Sequence, residues 1–219
     1  FKCYTASEEY TADTVIISTG AQAKWLGLES EKTFQAGGVS ACATCDGFFY
    51  RGKDVAVVGG GNTAVEEAIF LTNFAKSVTL IHRRDSLRAE KIAQDRLFKN
   101  EKIKVIWNSQ VDEVLGTDDT KKVTGLSLKN TKDGSMQKID VQGVFIAIGH
   151  TPMSAMFKGQ LDMDDENYLL VEKGTVRTKI PGVYAAGDVT DKVYRQAVTA
   201  AGMGCMSALE AEKFLSSKS

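Results

Sequence analysis

The sequence predicts an α/β fold built on a parallel sheet, and three observations carry that expectation. A strand, a glycine-rich turn, a helix and a second strand follow one another over about residues 54–82. This βαβ order predicts a parallel sheet covered by helices on both faces. The run Gly143 to Ile148 is continuously apolar, as in a strand buried on both faces. The 219 residues include 20 glycines and only 2 prolines, and many glycines cluster beside apolar runs, a texture of α/β chains whose backbone approaches a ligand closely.

Taken in order, Asp13 to Thr19 (DTVIIST) reads as a buried strand ending at Gly20. A loop-rich stretch follows, to about Gly47. Asp54 to Gly59 (DVAVVG) is the next strand and enters the triplet Gly59-Gly60-Gly61. Asn62 to Phe74 reads as a helix, with Val65, Ile69 and Phe70 at helical spacing. Ser77 to His82 is a strand, Leu87 to Phe98 a polar amphipathic helix, and Ile103 to Trp107 a short strand. From Gln110 to Val141 apolar and polar residues alternate around Gly116 and Asp133-Gly134, which predicts antiparallel strands joined by turns. After the buried strand at Gly143, Gly182 to Ala186 is a last short strand. Tyr194 to Phe214 closes the chain as a helix rich in Ala and Gly.

Composition excludes several classes. With 43% hydrophobic and 25% charged residues the chain is neither disordered nor fibrous. A formal net charge of -1 leaves no electrostatic footprint for nucleic acid or an anionic membrane. No apolar run approaches the roughly 18 residues of a membrane span. Four cysteines are too few for a disulfide scaffold. The chain opens on Phe1 inside a strand-like pattern, so it is expected to be a piece of something longer or a processed product.

Gly59, Gly61 and Ala64 form G-x-G-x-x-A between strand and helix. Small residues there let the backbone approach a pyrophosphate, whose charge meets the free N–H groups and positive end of the helix. An NAD site places an acid about 20 residues further on. At that point this chain reads His82-Arg83-Arg84, with Arg88 a helical turn beyond. Cations suit the 2′-phosphate of NADPH.

Cys42-Ala43-Thr44-Cys45-Asp46-Gly47 is a C-x-x-C pair able to cycle between dithiol and disulfide. Zinc wants four ligands, usually as two close pairs. Cys3 and Cys205 are solitary and His82 and His150 far apart, so no metal site is expected. Asp46 reads equally as a general acid or as a turn residue before Gly47. A flavin commonly bridges a hydride donor and a dithiol, and the chain shows only parts of a flavin site.

CATCDG, VAVVGGGNTAVEEA, HRRDSLRAEK, IPGVYAAGDV and YRQAVTAAG, in that order, resemble the bacterial low-molecular-weight thioredoxin reductases over nearly the whole chain. The resemblance implies two doubly wound parallel-sheet nucleotide-binding domains, the NADPH domain inserted in an incomplete FAD domain that lacks its N-terminal Gly-rich segment. Residues 1–24 would end the first FAD-domain segment, 25–147 form the NADPH domain with the redox pair, and 148–219 complete the FAD domain. It implies that Thr19 and Gly20 pack near FAD, that Gly187 and Asp188 hold its ribityl chain, and that Arg195, Gln196 and Ala197 lie along its ring. Asn62, Thr63 and His82 would join Arg83, Arg84 and Arg88 around NADPH. Cys45 would face the flavin, Cys42 attack the thioredoxin disulfide, and Asp46 serve as the acid. Domain rotation about hinges near Trp25 and near Gly149 to Pro152 would alternate the partners of the flavin.

The expected activity is therefore a thioredoxin-disulfide reductase passing electrons from NADPH through FAD to Cys42 and Cys45. The alternatives are the flavoprotein subunit of alkyl hydroperoxide reductase and a non-catalytic NADPH-binding fragment. A homodimer in the cytoplasm is expected, with thioredoxin as partner and neither nucleic acid nor membrane.

Overall fold

The computed structural model describes residues 1–35, 37–117 and 119–218. They form two compact units: Ala23–Gly149, and a discontinuous one of Phe1–Gln22 with His150–Ser219. The chain passes between them at 22/23 and 149/150, against the expected 24/25 and 147/148.

The continuous unit is built on a five-stranded sheet. From edge to edge its strands are Val39–Ser40, Gly143–Ala147, Asp54–Gly59, Ser77–Ile81 and Ile103–Ile106, and every pairing is parallel. The order reverses direction beside Asp54–Gly59, which creates a crevice at the carboxyl ends of the central strands. Alternation along one strand explains the two cores. Val55 and Val57 face helices Asn62–Leu71 and Lys91–Phe98 with Val65, Leu71 and Leu97. Ala56 and Val58 face the other way, onto Val111, Val114, Leu126 and Leu128.

That second layer differs from the expected helical cover. It is a three-stranded antiparallel sheet, Ser109–Thr117, Lys122–Asn130 and Met136–Asp140, joined on the same face by Phe34 after the short helix Glu29–Thr33. A strand offers an apolar stripe every second residue, so a sheet can cover this face as a helix would. Gly116 lies within a strand opposite Val123, not at a turn. A Cβ there would lie 2.3 Å from the Phe34 ring and 2.5 Å from the Lys122 carbonyl oxygen.

The discontinuous unit pairs Val15–Ile17 with Val183–Ala185 in parallel. Lys2–Tyr4 and Glu9–Thr11 form an antiparallel hairpin. Ile17, Val183 and Ala185 pack with Leu161, Leu169 and Val189. Tyr184 points the opposite way, toward Val176 and Ala211 of the final helix, and its hydroxyl donates to the Glu210 carbonyl at 3.0 Å.

Three helices are shorter than the pattern predicts, and Asn62–Leu71 ends three residues before Phe74. Lys91–Phe98 begins after the residues 87–90, because that stretch folds back on the glycine turn: the Arg88 N–H donates to the Gly60 carbonyl at 2.7 Å. The last helix, Ala197–Ser216, starts after Arg195, whose φ of 49° is left-handed and outside helical backbone. No described helix is long and apolar enough to cross a membrane.

Candidate functional site

The glycine turn of the continuous unit opens at the carboxyl end of Asp54–Gly59. A Cβ on Gly59 would lie 2.4 Å from the Ala147 carbonyl oxygen and 2.6 Å from the Ala64 Cβ, so strand and helix need small residues at both positions. Gly61 is different: it is the N-cap of Asn62–Leu71, and a Cβ there would meet nothing within 4 Å. The fold does not require a glycine at that point, and the space beside it is open. No side chain caps this helix start, so its first N–H groups can bind phosphate. Thr63 is half-buried in the first turn, and the Asn62 carboxamide oxygen accepts from the Glu90 N–H at 2.7 Å.

The basic cluster is split by the structure. Arg83, Arg84 and Arg88 are exposed, and none forms an ion pair among the described residues. His82 is 6% exposed and lies against the turn, where a Cβ on Gly60 would come within 2.2 Å of its ring. Burial pushes its pKa below the usual 6.5, and the charges of Arg88 and Arg84 push the same way. Its buried Nε2 has no hydrogen-bond partner. His82 is thus a neutral ring supporting the turn, not a member of the exposed cationic set.

The cysteine pair forms a disulfide around the one-turn helix Ala43–Asp46. Cys42 is its N-cap, half-buried; Cys45 is exposed. The Cys45 N–H donates to the Cys42 Sγ at 3.2 Å, and the Thr44 hydroxyl lies 3.3 Å from the same sulfur. Two donors on one sulfur favour its thiolate once the disulfide opens. Ser40 couples the pair to Asp46. Its Oγ donates to the Asp46 carboxylate at 2.7 Å and accepts from the Cys42 N–H at 3.0 Å. Phe48 and Phe49 beside the pair are 61% and 69% exposed.

The discontinuous unit holds a cavity of about 360 Å³ whose lining includes Gly20, Gly187, Asp188, Gln196 and Ala197. Gly187 sits at φ 76°, a conformation open to glycine. The Asp188 carboxyl is raised by burial and by the charge of Asp191. Thr19 and Arg195 stand outside this lining. The Thr19 hydroxyl donates to the Met153 carbonyl at 2.6 Å, and the Arg195 N–H donates to the Asp191 carboxylate at 3.1 Å. Gln196 also caps the final helix, in a reciprocal box with Thr199.

Sequence reasoning misses Ser40, because a serine at a strand end carries no signal until Asp46 folds back beside it. It also misses the braces of the basic loop. Asn108 donates to the Arg84 carbonyl at 3.1 Å and Thr131 to the Arg83 carbonyl at 3.0 Å. These partners lie tens of residues away, and no spacing rule links them.

A family model described as pyridine nucleotide-disulphide oxidoreductase matches residues 2–204. Thioredoxin reductase of Rickettsia conorii is 60% identical over 216 residues, covering 98% of this chain and 70% of that protein. Thioredoxin reductase of Coxiella burnetii is 57% identical, covering 95% of this chain and 67% of the relative. Among solved structures, thioredoxin reductase from Streptococcus pyogenes MGAS5005 superposes with a TM-score of 0.92 at 45% identity, covering 98% of this chain and 69% of that one.

Proposed function

The chain belongs to the thioredoxin reductases within the pyridine nucleotide-disulphide oxidoreductase family, and on that premise we propose how its residues perform the reduction of a thioredoxin disulfide. The enzyme is an oxidoreductase whose cofactors are NADPH and FAD. The Ala23–Gly149 unit reads as the NADPH domain carrying the redox pair, and the discontinuous unit as part of the FAD domain.

The residues fit both groups. The open space at Gly61 and the unpaired Arg83, Arg84 and Arg88 suit a pyrophosphate and a 2′-phosphate. Asn62 and the His82 ring hold the turn that presents them, and Thr63 and Ala64 belong to the helix start. The cavity at Gly20, Gly187, Asp188, Gln196 and Ala197 suits part of a flavin. Thr19 and Arg195 act from outside its lining by shaping the adjoining backbone. When bound, the two cofactors supply two electrons that convert the Cys42–Cys45 disulfide to the dithiol.

From the dithiol, the protein's own groups suffice. The Cys42 thiolate, held by the Cys45 N–H and Thr44, attacks one sulfur of the partner disulfide. A mixed disulfide forms and the partner's other sulfur leaves as thiolate. Asp46, positioned by Ser40, takes the proton that each attacking cysteine gives up and delivers it to the thiolate that departs in the same exchange. The Cys45 thiolate then attacks the Cys42 Sγ, which releases the second partner sulfur and restores the Cys42–Cys45 disulfide. Two electrons and two protons have moved to the partner. The exposed rings of Phe48 and Phe49 give that partner an apolar landing beside the sulfurs.

The observation that carries the reading is the reciprocal arrangement of Cys42, Cys45 and Asp46 around one helical turn. Chemically reduced Cys45→Ser mixed with oxidised thioredoxin is expected to accumulate a covalent adduct through Cys42, read by intact mass and peptide mapping. An adduct through Cys45 in Cys42→Ser, with none in Cys45→Ser, reverses the roles. No adduct in either variant overturns the reading. We further propose a homodimer, supported by exposed Val198, Leu209 and Leu215 on the final helix. A reducing compartment such as the cytoplasm suits a pair that must return to dithiol.

A further inference from the structure

We propose that Lys132 is a specificity-determining residue for the nicotinamide cofactor, acting by neutralising Asp85 so that Arg83, Arg84 and Arg88 keep their charge for a 2′-phosphate. The inference rests on reading those arginines as the 2′-phosphate ligands. Asp85 is the one carboxylate in the run His82–Arg88. Left free, it competes with a phosphate for the neighbouring guanidiniums and repels the dianion.

The structure gives Asp85 a cationic partner from another segment. Its carboxylate meets the Lys132 ammonium at 3.2 Å, and this hydrogen bond is the first cause of a carboxyl pKa below the usual range. Lys132 lies in the turn between Lys122–Asn130 and Met136–Asp140. That turn is fastened to the basic loop: the Thr131 hydroxyl donates to the Arg83 carbonyl at 3.0 Å. The Thr131 N–H donates to the Asn108 carbonyl at 2.6 Å, and the Asn108 N–H to the Arg84 carbonyl at 3.1 Å. The lysine therefore stands at a built position. The turn's own carboxylate, Asp133, accepts from the Ser135 N–H at 2.8 Å and hydroxyl at 2.7 Å, and so is engaged locally. Both partners of the pair are more than half exposed. Such pairs add little to fold stability, so the consequence of this one lies in the local potential around the arginines.

The test is calorimetric binding of NADP⁺ and NAD⁺ to the whole chain at low ionic strength. Lys132→Met is expected to weaken NADP⁺ about threefold, the scale of one exposed pair, with NAD⁺ unchanged. In an Asp85→Asn background the same substitution is expected to change neither ligand, and added salt to shrink the effect. Equal losses for both ligands, no loss of NADP⁺ affinity, or an undiminished loss in the Asp85→Asn background each overturn the proposal. Arg83→Ala with Arg84→Ala tests the underlying reading separately. If that variant loses its NADP⁺ preference while Lys132→Met does not, only the role of Lys132 fails. If it keeps its preference, both readings fail.

Discussion

His82 shows how burial changes the part a residue plays. In sequence it heads a basic run. In the structure its ring occupies the space a Gly60 side chain would take, and it is neutral because burial disfavours the charged form. The sign of its pH effect follows. Its folded pKa lies below the ordinary 6.5, so the unfolded chain takes up a proton first as pH falls. The contribution of His82 to stability is complete above about 6.5 and declines as pH drops through that value toward the folded one. Thermal unfolding of the protein and of His82→Gln across this range checks it: the stability curve of the variant is expected to be flatter below 6.5. An identical slope in both proteins refutes the buried neutral ring. Cys42 and Cys45 were legible in the sequence as a redox pair. Which sulfur collects hydrogen-bond donors was not, because that depends on how one helical turn closes.

Elements were legible where a strong local pattern met no tertiary competitor. Asp54–Gly59 and the start of the helix at Asn62 stand where their residues place them, since an unbroken apolar run followed by glycines admits few alternatives. The helix expected from Leu87 begins only at Lys91, because the Arg88 and Glu90 N–H groups bond the Gly60 carbonyl and the Asn62 side chain. Gly116 carries a similar lesson. Glycine suggests a turn, yet here it keeps a strand open for the Phe34 ring. Gly116→Ala is expected to lower stability by about 1–3 kcal/mol, as overpacking does, and thermal or denaturant unfolding measures it. Pairing Gly116→Ala with Phe34→Leu is expected to return part of the loss. If Gly116→Ala alone is neutral, the close approach of Phe34 is not what requires the glycine.

At the scale of the molecule the fold is two units, and one of them has what an independent domain needs. Ala23–Gly149 carries a hydrophobic core on each face of its parallel sheet, and its ends meet where the Lys24 N–H donates to the Gly149 carbonyl at 2.9 Å. Adjacent ends and a private core mark a segment that can be excised. A fragment of residues 23–149 is expected to unfold cooperatively and to bind NADP⁺ within about threefold of the whole chain, by calorimetry; a molten fragment contradicts this. The sequence by itself determined the parallel α/β class, the glycine turn with its following cations, and the dithiol pair. These are local patterns, set by hydrophobic period, by the backbone freedom of glycine and by side-chain chemistry at short spacing. Only the tertiary structure decided that an antiparallel sheet covers the second face. Only it placed His82 beneath the turn, set Ser40 between Cys42 and Asp46, and brought Lys132 to Asp85. Each of those facts joins residues from separate segments, and burial and hydrogen bonding act between segments only after the chain has closed on itself.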